Sequence, residues 1–289
     1  MAITYDLVKQ VTSDLYAWSL RKVPDDTLAA MARARESESN PVARRTLDIL
    51  LRSAEMAERQ DRLVCSDSGV PVYSIKIGTA ARLEGNIKRA ISDGFDELIA
   101  RSSPPLLKHV TNPLTNERGH RGKDMPLVTW DVMDGADYLD IICQPKALGS
   151  GRWAALEIFT FPSLEQIEKY VMDVVIRAGS QHCPPVIVGV GIGGDFDTAA
   201  RMAKTATMRP LGTPSEEPIL AAMEERLLKA VNATGFGPMG TGGDTTAIGV
   251  HVEYASGHGY TPVAVAFNCW ISRRTRAKLF DDGHVERVC

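Results

Sequence analysis

Apolar positions recur at helical spacing through the first sixty residues and at strand spacing in several later runs. Asn40 followed by Pro41 marks a helix start, since asparagine caps exposed amides and proline needs no amide partner at the first helical position. Leu47, Ile49, Leu50, Leu51 and Ala54 then supply an apolar face, with Arg44, Arg45, Glu55 and Glu58 as its solvated side. Val70–Ile77 alternates like a strand, and Gly85–Ala100 returns to a helical pattern. Leu127–Met133 and Tyr138–Cys143 flank Asp134-Gly135, which predicts a β-hairpin. Ser163 with Gln166 forms a capping box for a helix to about Ala178, closed by Gly179. Pro185–Val190 reads as a buried strand. Helices follow from about Asp197 to Met208, where Pro210 ends the pattern, and over Ile219–Val231. Ala247–Tyr254 and Pro262–Asn268 are two further strands.

This order predicts an α/β fold, with mixed sheets and surrounding helices. Residues 1–60 form an N-terminal helical region, and 61–289 a larger domain expected to make one compact unit with it. Residues 101–126 carry four prolines and Gly119-His120-Arg121-Gly122, and long loops of this kind in compact chains are usually functional or mobile.

A chain of 289 residues with 44% hydrophobic and 24% charged residues has the composition of a globular protein with a sizeable core. Its net charge of −3 gives no electrostatic footprint for nucleic acid. No apolar run approaches the roughly 20 residues needed to span a bilayer. Met1 to Asp6 lacks the order of a signal peptide, and five cysteines, an odd number, point to reduced thiols in a cytoplasm.

The cysteines, at 65, 143, 183, 269 and 289, form no C-x-x-C pair, so local zinc and ferredoxin signatures are absent. Scattered cysteines are more often small buried hydrophobes than ligands. Three frames nevertheless stand out: Cys65-Ser66-Asp67-Ser68-Gly69, Cys183-Pro184-Pro185 and Asn268-Cys269-Trp270. Thiols on three distant segments, one beside a carboxylate, suggest a metal or iron–sulfur centre assembled by folding.

Gly189-Val190-Gly191-Ile192-Gly193-Gly194 matches G-x-G-x-x-G between a strand and a helix. A dinucleotide site also needs an acidic residue at the end of a second strand about twenty positions on. Here that region is the loop Gly212–Glu217, so the glycines more simply let a backbone pass close by. Gly235–Gly243 lacks the G-K-[ST] ending of a phosphate loop and reads as a tight turn or a pocket wall. Among the histidines, His258 stands out because Gly257 and Gly259 leave its ring uncovered, as an acid–base or carboxylate-binding group or as a plain loop residue.

Taken together these segments resemble class I fumarases and the α subunits of L(+)-tartrate dehydratase. The likeness is carried by Cys183 through Gly194, by Gly237-Pro238-Met239-Gly240 with Gly242-Gly243, and by Asn268-Cys269-Trp270 with Arg273-Arg274. Cys65-Ser66-Asp67-Ser68-Gly69 is similar to the family's C-Q-D-T-G. The segments run in family order from about residue 60 to 275. The resemblance implies an iron–sulfur hydro-lyase α-domain with a [4Fe-4S] cluster held by Cys65, Cys183 and Cys269. Three thiolates leave one iron open as a Lewis acid for a substrate hydroxyl. Asp67 is then placed for proton exchange, and His258 matches the histidine of the family's H-P-x-S stretch. Cys143 and Cys289 are left as ordinary thiols.

The chain also departs from the family. Ser66 replaces a glutamine, Gly259-Tyr260 replaces the proline after the histidine, and Asp244 stands where fumarases commonly have lysine. Lys146–Ser150 departs from a glycine-rich run. The family's Pro-Leu-Arg falls near Pro105-Leu106-Leu107-Lys108, with Leu107 at the arginine. Loss of a bidentate carboxylate clamp would be a serious change, for which Lys108 or Arg101 are the candidate substitutes. Because two-domain fumarases continue beyond the matched region, the chain is expected to be an α subunit that works with a separate β subunit, plausibly as α2β2. The competing readings are a nicotinamide-dependent oxidoreductase and a catalytically altered paralogue acting as a cluster-containing binding or sensing module.

Overall fold

The computed structural model describes residues 1–103 and 106–288. In chain order it contains α1 (Tyr5–Ser19), α2 (Asp25–Ser37), α3 (Pro41–Arg59), β1 (Val72–Gly78), α4 (Ile87–Arg101), β2 (Val110–Thr111), β3 (Arg118–Gly119), β4 (Leu127–Met133) and β5 (Tyr138–Cys143). Then follow α5 (Leu148–Gly151), β6 (Ala155–Thr160), α6 (Leu164–Ala178), β7 (Val186–Gly193), α7 (Phe196–Ala206), α8 (Pro218–Ala233), β8 (Ala247–Ala255), β9 (Tyr260–Asn268), β10 (Thr275–Phe280) and β11 (Val285–Val288). The α/β class with mixed sheets and surrounding helices is as expected. Among the described residues no helix is long and apolar enough to cross a membrane.

The chain divides into two compact units. The first comprises Met1–Val23, Ala57–Ala147 and Arg273–Cys289, and the second Pro24–Met56 and Leu148–Ser272. Residues 1–60 therefore contribute to both, and the division falls inside α3.

The first unit is built on a five-stranded sheet in the order β11-β10-β5-β1-β4. Tyr73 and Ile75 of β1, Leu139 and Ile141 of β5, and Ala277 and Leu279 of β10 alternate onto one face. That face is covered by Val8, Val11 and Leu15 of α1 and by Ile91, Phe95 and Leu98 of α4. Each such side chain, fully buried, is worth roughly 1.5–3 kcal/mol. The expected hairpin of Leu127–Met133 with Tyr138–Cys143 is corrected here. Both segments are strands, but β1 lies between them, parallel to β4 and antiparallel to β5. The Asp134-Gly135 turn passes over the end of β1, where a Cβ on Gly78 would meet the Ala136 carbonyl at 2.3 Å. Glycine is what makes that crossing possible.

The second unit carries the four-stranded sheet β6-β9-β7-β8. β7 runs parallel to β8 and antiparallel to β9, with Ile187 opposite Asn268 and Ile192 opposite Val263. Val186, Val188 and Val190 of β7 and Val263, Val265 and Phe267 of β9 meet α6 and α8 on one face. On the other face Ala264 and Ala266 pack against Ala199 and Ala203 of α7. The expected capping box on α6 is present, with Ser163 accepting from Gln166 N and Gln166 accepting from Ser163 N. Asn40 caps α3, accepting from Val42 N at 2.8 Å, with Pro41 at the first helical position. Glu38, fully buried, accepts the amides of Asn40 and Asp244 and so ties the start of α3 to the glycine-rich turn 235–243.

The glycines of the G-x-G-x-x-G segment seat α7 directly on β7. A Cβ on Gly189 would lie 2.1 Å from the Ala203 carbonyl, and one on Gly191 2.1 Å from the Ala199 carbonyl. Backbone cannot give way as a side chain can, so overpacking here is costly. Gly191→Ala is expected to lower unfolding stability by at least about 2 kcal/mol in urea titrations, at the upper part of the range for overpacked cores. A change within experimental error would show that α7 is not held at this distance.

Candidate active site

Cys65 and Asp67 lie on the loop 65–69 of the first unit, immediately before β1, and that loop is held from several sides. Gly69 adopts φ +70, and a Cβ there would strike the Lys146 backbone at 2.9 Å. Its carbonyl accepts the Tyr16 hydroxyl at 2.8 Å, and its amide donates to Asp67 Oδ1 at 3.0 Å. Burial raises the Tyr16 phenol above its ordinary range, so it stays a protonated donor. Ser68 Oγ accepts the Leu107 amide at 3.2 Å, and the Asp67 carbonyl accepts from Arg273 Nη2 at 2.5 Å. Cys65 and Asp67 themselves remain half-buried. The loop is thus tied at several points of its backbone, with the two side chains at its surface half-buried.

Cys183 and Cys269 belong to the second unit, and the register of its sheet brings them to the same end. Cys183 lies just before β7 and Cys269 directly after β9, which returns antiparallel beside it. The Trp270 amide donates to the Cys183 carbonyl at 3.2 Å. Cys183 adopts φ +59, a left-handed conformation uncommon for a residue with a side chain. A Cβ on Gly149 would sit 3.4 Å from its Sγ, so α5 approaches the thiol closely. Both thiols are half-buried.

His182, next to Cys183, is fully buried, and neither ring nitrogen meets an acceptor or donor among the described residues. Its ring packs on Phe267 with centroids 4.8 Å apart. Burial pushes the imidazole down to about 4, so it is neutral near neutral pH. Sequence reasoning passed over this residue. Its signal was only adjacency to Cys183.

His258 is not brought to the cysteines of its own unit. It lies in the exposed turn between β8 and β9, stacked on Tyr260 at 4.9 Å, whereas Cys269 follows the far end of β9. A nine-residue strand spans about 25 Å, which separates the ring from Cys183 and Cys269 along the sheet. Asp244, at the position of the family lysine, accepts the Ser39 amide at 2.8 Å, and hydrogen bonding by the Ser39 side chain, then by its amide, holds the carboxyl below the ordinary range. It acts as a structural tie. Leu107 is buried in the apolar core of the first unit with φ +53, while Pro105 of the same segment lies outside the described residues.

Cys143 is a core residue with no exposure, and burial pushes its thiol well above the ordinary range. Cys289 lies outside the described residues. Within either unit, no three His, Cys, Asp or Glu side chains gather into a metal-binding group among the described residues. Within the second unit the donors suit a thiophilic centre: two half-buried sulfur atoms at one end of the sheet, a left-handed backbone at one of them, and beside it a buried imidazole whose ring nitrogens meet no partner among the described residues.

The chain belongs to the fumarate hydratase (Fumerase) family, whose model matches residues 9–278. It is therefore a hydro-lyase, an enzyme that adds or removes water at a carbon–carbon bond. It is 32% identical over 280 residues to a Methanocaldococcus jannaschii protein provisionally named L(+)-tartrate dehydratase subunit alpha, covering 94% of this chain and 97% of that one. It is 28% identical over 273 residues to the L(+)-tartrate dehydratase subunit alpha of Escherichia coli strain K12, covering 92% and 88%.

The thiol environments predict a reactivity pattern. In iron-free protein, Cys65, Cys183 and Cys269 are expected to be alkylated by a maleimide under native conditions, and Cys143 only after unfolding, as read by peptide mass mapping. Native labelling of Cys143 at a rate matching the other three would contradict its place in the core.

Proposed function

We propose that this chain is the α subunit of an iron–sulfur-dependent hydro-lyase that reversibly dehydrates a hydroxy-carboxylic acid of the fumarate or tartrate kind. Cys65, Cys183 and Cys269 are its ligands for a [4Fe-4S] cluster. The observation that carries the reading is the hydrogen bond between Trp270 and Cys183, which holds two thiol-bearing segments side by side at one end of a rigid sheet. When bound, a cluster with three cysteine ligands supplies one open iron as a Lewis acid for a substrate hydroxyl. His182, buried and neutral, offers a ring N–H beside Cys183, and hydrogen bonds to sulfur are one means of tuning such a centre.

Asp67 is the residue assigned to proton exchange or to orienting the attacking water. The clamps on loop 65–69 fix its backbone two residues from Cys65, and the Gly69 amide on Oδ1 orients its carboxylate for that role. His258 has no part in this assignment, because β9 separates it from Cys183 and Cys269 of the same unit. The relatives are named as α subunits, which supports a separate β partner, with α2β2 as the proposed assembly. A cytoplasmic setting would keep the thiols reduced.

Replacing Cys65, Cys183 or Cys269 with serine is expected to lower iron per chain after anaerobic purification, whereas Cys143→Ser should retain it. Normal iron in any of the first three removes that residue from the ligand set.

Asp67→Asn should keep its iron and lose turnover by about two orders of magnitude or more, the usual scale of general acid–base catalysis. Full activity in this variant would move proton transfer to another group.

The reconstituted chain alone is expected to be inactive towards malate and tartrate, gaining activity only with its β partner. Full activity of the lone chain would sink the heteromer proposal. A complex inactive on every hydroxy acid would favour a binding or sensing module.

A further inference from the structure

Arg273 follows Cys269 by four residues and is 2% exposed. Its Nη2 donates to the Asp67 carbonyl at 2.5 Å, but Nε and Nη1, both buried, reach no acceptor among the described residues. A guanidinium does not shed its proton, and it presents five N–H donors in one rigid plane. Burial with most of those donors unmet is unfavourable unless an anion completes the set. The planar geometry narrows what that anion is. Nη2 takes part in both forks of the guanidinium, one with Nε and one with Nη1. Whichever Nη2 proton the Asp67 carbonyl accepts, the other still forms a complete fork with a nitrogen that has no acceptor. Such a fork matches the two oxygens of a carboxylate.

We propose that Arg273 binds a carboxylate of the hydroxy-acid substrate, an inference that rests on the function proposed above. Leu107 is anchored through its amide to Ser68, the neighbour of Asp67, so the leucine and the guanidinium are tied to the same loop. The two surrogates suggested by sequence are less suited. Arg101 is exposed and donates to Ser13 Oγ at 3.2 Å, and Lys108 is exposed. A carboxylate held by Arg273 lies against the guanidinium that fixes the Asp67 backbone, so substrate binding and the proton-exchanging residue share one support.

The test uses the anaerobic complex of this chain with its β partner, and succinate as a dicarboxylate probe that has no hydroxyl to lose. Succinate affinity is measured calorimetrically for the wild type, Arg273→Gln and Arg273→Lys, with iron content and melting temperature recorded for each. The expected result is succinate binding by the wild type, weakened at least about tenfold in Arg273→Gln, the scale of one charge-assisted hydrogen bond. Arg273→Lys should fall between the two, with iron retained throughout. A wild type that does not bind succinate overturns the inference, as does an Arg273→Gln complex that binds it equally well. Loss of iron with unchanged succinate affinity also overturns it, making Arg273 a support for the metal centre. Should Arg273→Gln not fold, Arg273→Lys decides: unchanged affinity overturns the inference and clear weakening supports it. Turnover of malate and tartrate by the same wild-type preparation judges the function separately from Arg273.

Discussion

The antiparallel register of β9 on β7 is the constraint from which much of the candidate site follows. With Ile187 opposite Asn268, the residues just before β7 and just after β9 must share one end of the sheet, and these are Cys183 and Cys269. Side-chain size fixes that register. Val263, Val265 and Phe267 face α6 and α8, while Ala264 and Ala266 face α7. A slip of one residue would turn the large side chains towards α7, where Gly189 and Gly191 leave no room above β7. The packing of an apolar core thus positions two thiols, and the same strand carries His258 away to the opposite end.

The first unit handles its candidate residues differently. No strand presents Cys65 or Asp67. They sit on a short loop whose main chain is pinned by Tyr16, Arg273 and the Leu107 amide acting through Ser68. These are hydrogen bonds from buried groups, each worth about 1 kcal/mol net and more where charge is involved. Tyr16 can serve because burial keeps its phenol protonated. Arg273 can serve because a guanidinium stays charged wherever it is placed. The chain also separates two kinds of thiol. Cys143 is sealed in the core, while Cys65, Cys183 and Cys269 stay within reach of solvent.

Much of this was legible in the sequence where local chemistry decides the outcome. The capping box at Ser163, the Asn40-Pro41 start and the alternation of β1 all translate into the expected elements. What failed depended on distant partners. Leu127–Met133 and Tyr138–Cys143 look like a hairpin because the sequence cannot show that β1 inserts between them. Thr275–Phe280 interleaves Arg276 and Lys278 with small or apolar residues and becomes a strand by pairing with β5, more than 130 residues earlier. The thiol motifs are readable as a set through family resemblance, whereas in the sequence Arg273 is only one member of the Arg273-Arg274 pair after Cys269. Its importance lies in burial and in absent acceptors, which no spacing encodes. For His258 the flanking glycines report exposure, which the structure bears out, and not its place at the opposite end of β9 from Cys269.

The central claim, a [4Fe-4S] centre with one iron lacking a protein ligand, is tested most directly by Mössbauer spectroscopy of the anaerobic complex reconstituted with iron-57. The account predicts that one iron in four changes its spectrum when malate or tartrate is added, while the other three are unmoved. Four irons that all ignore both hydroxy acids, or a centre without four irons, would contradict it.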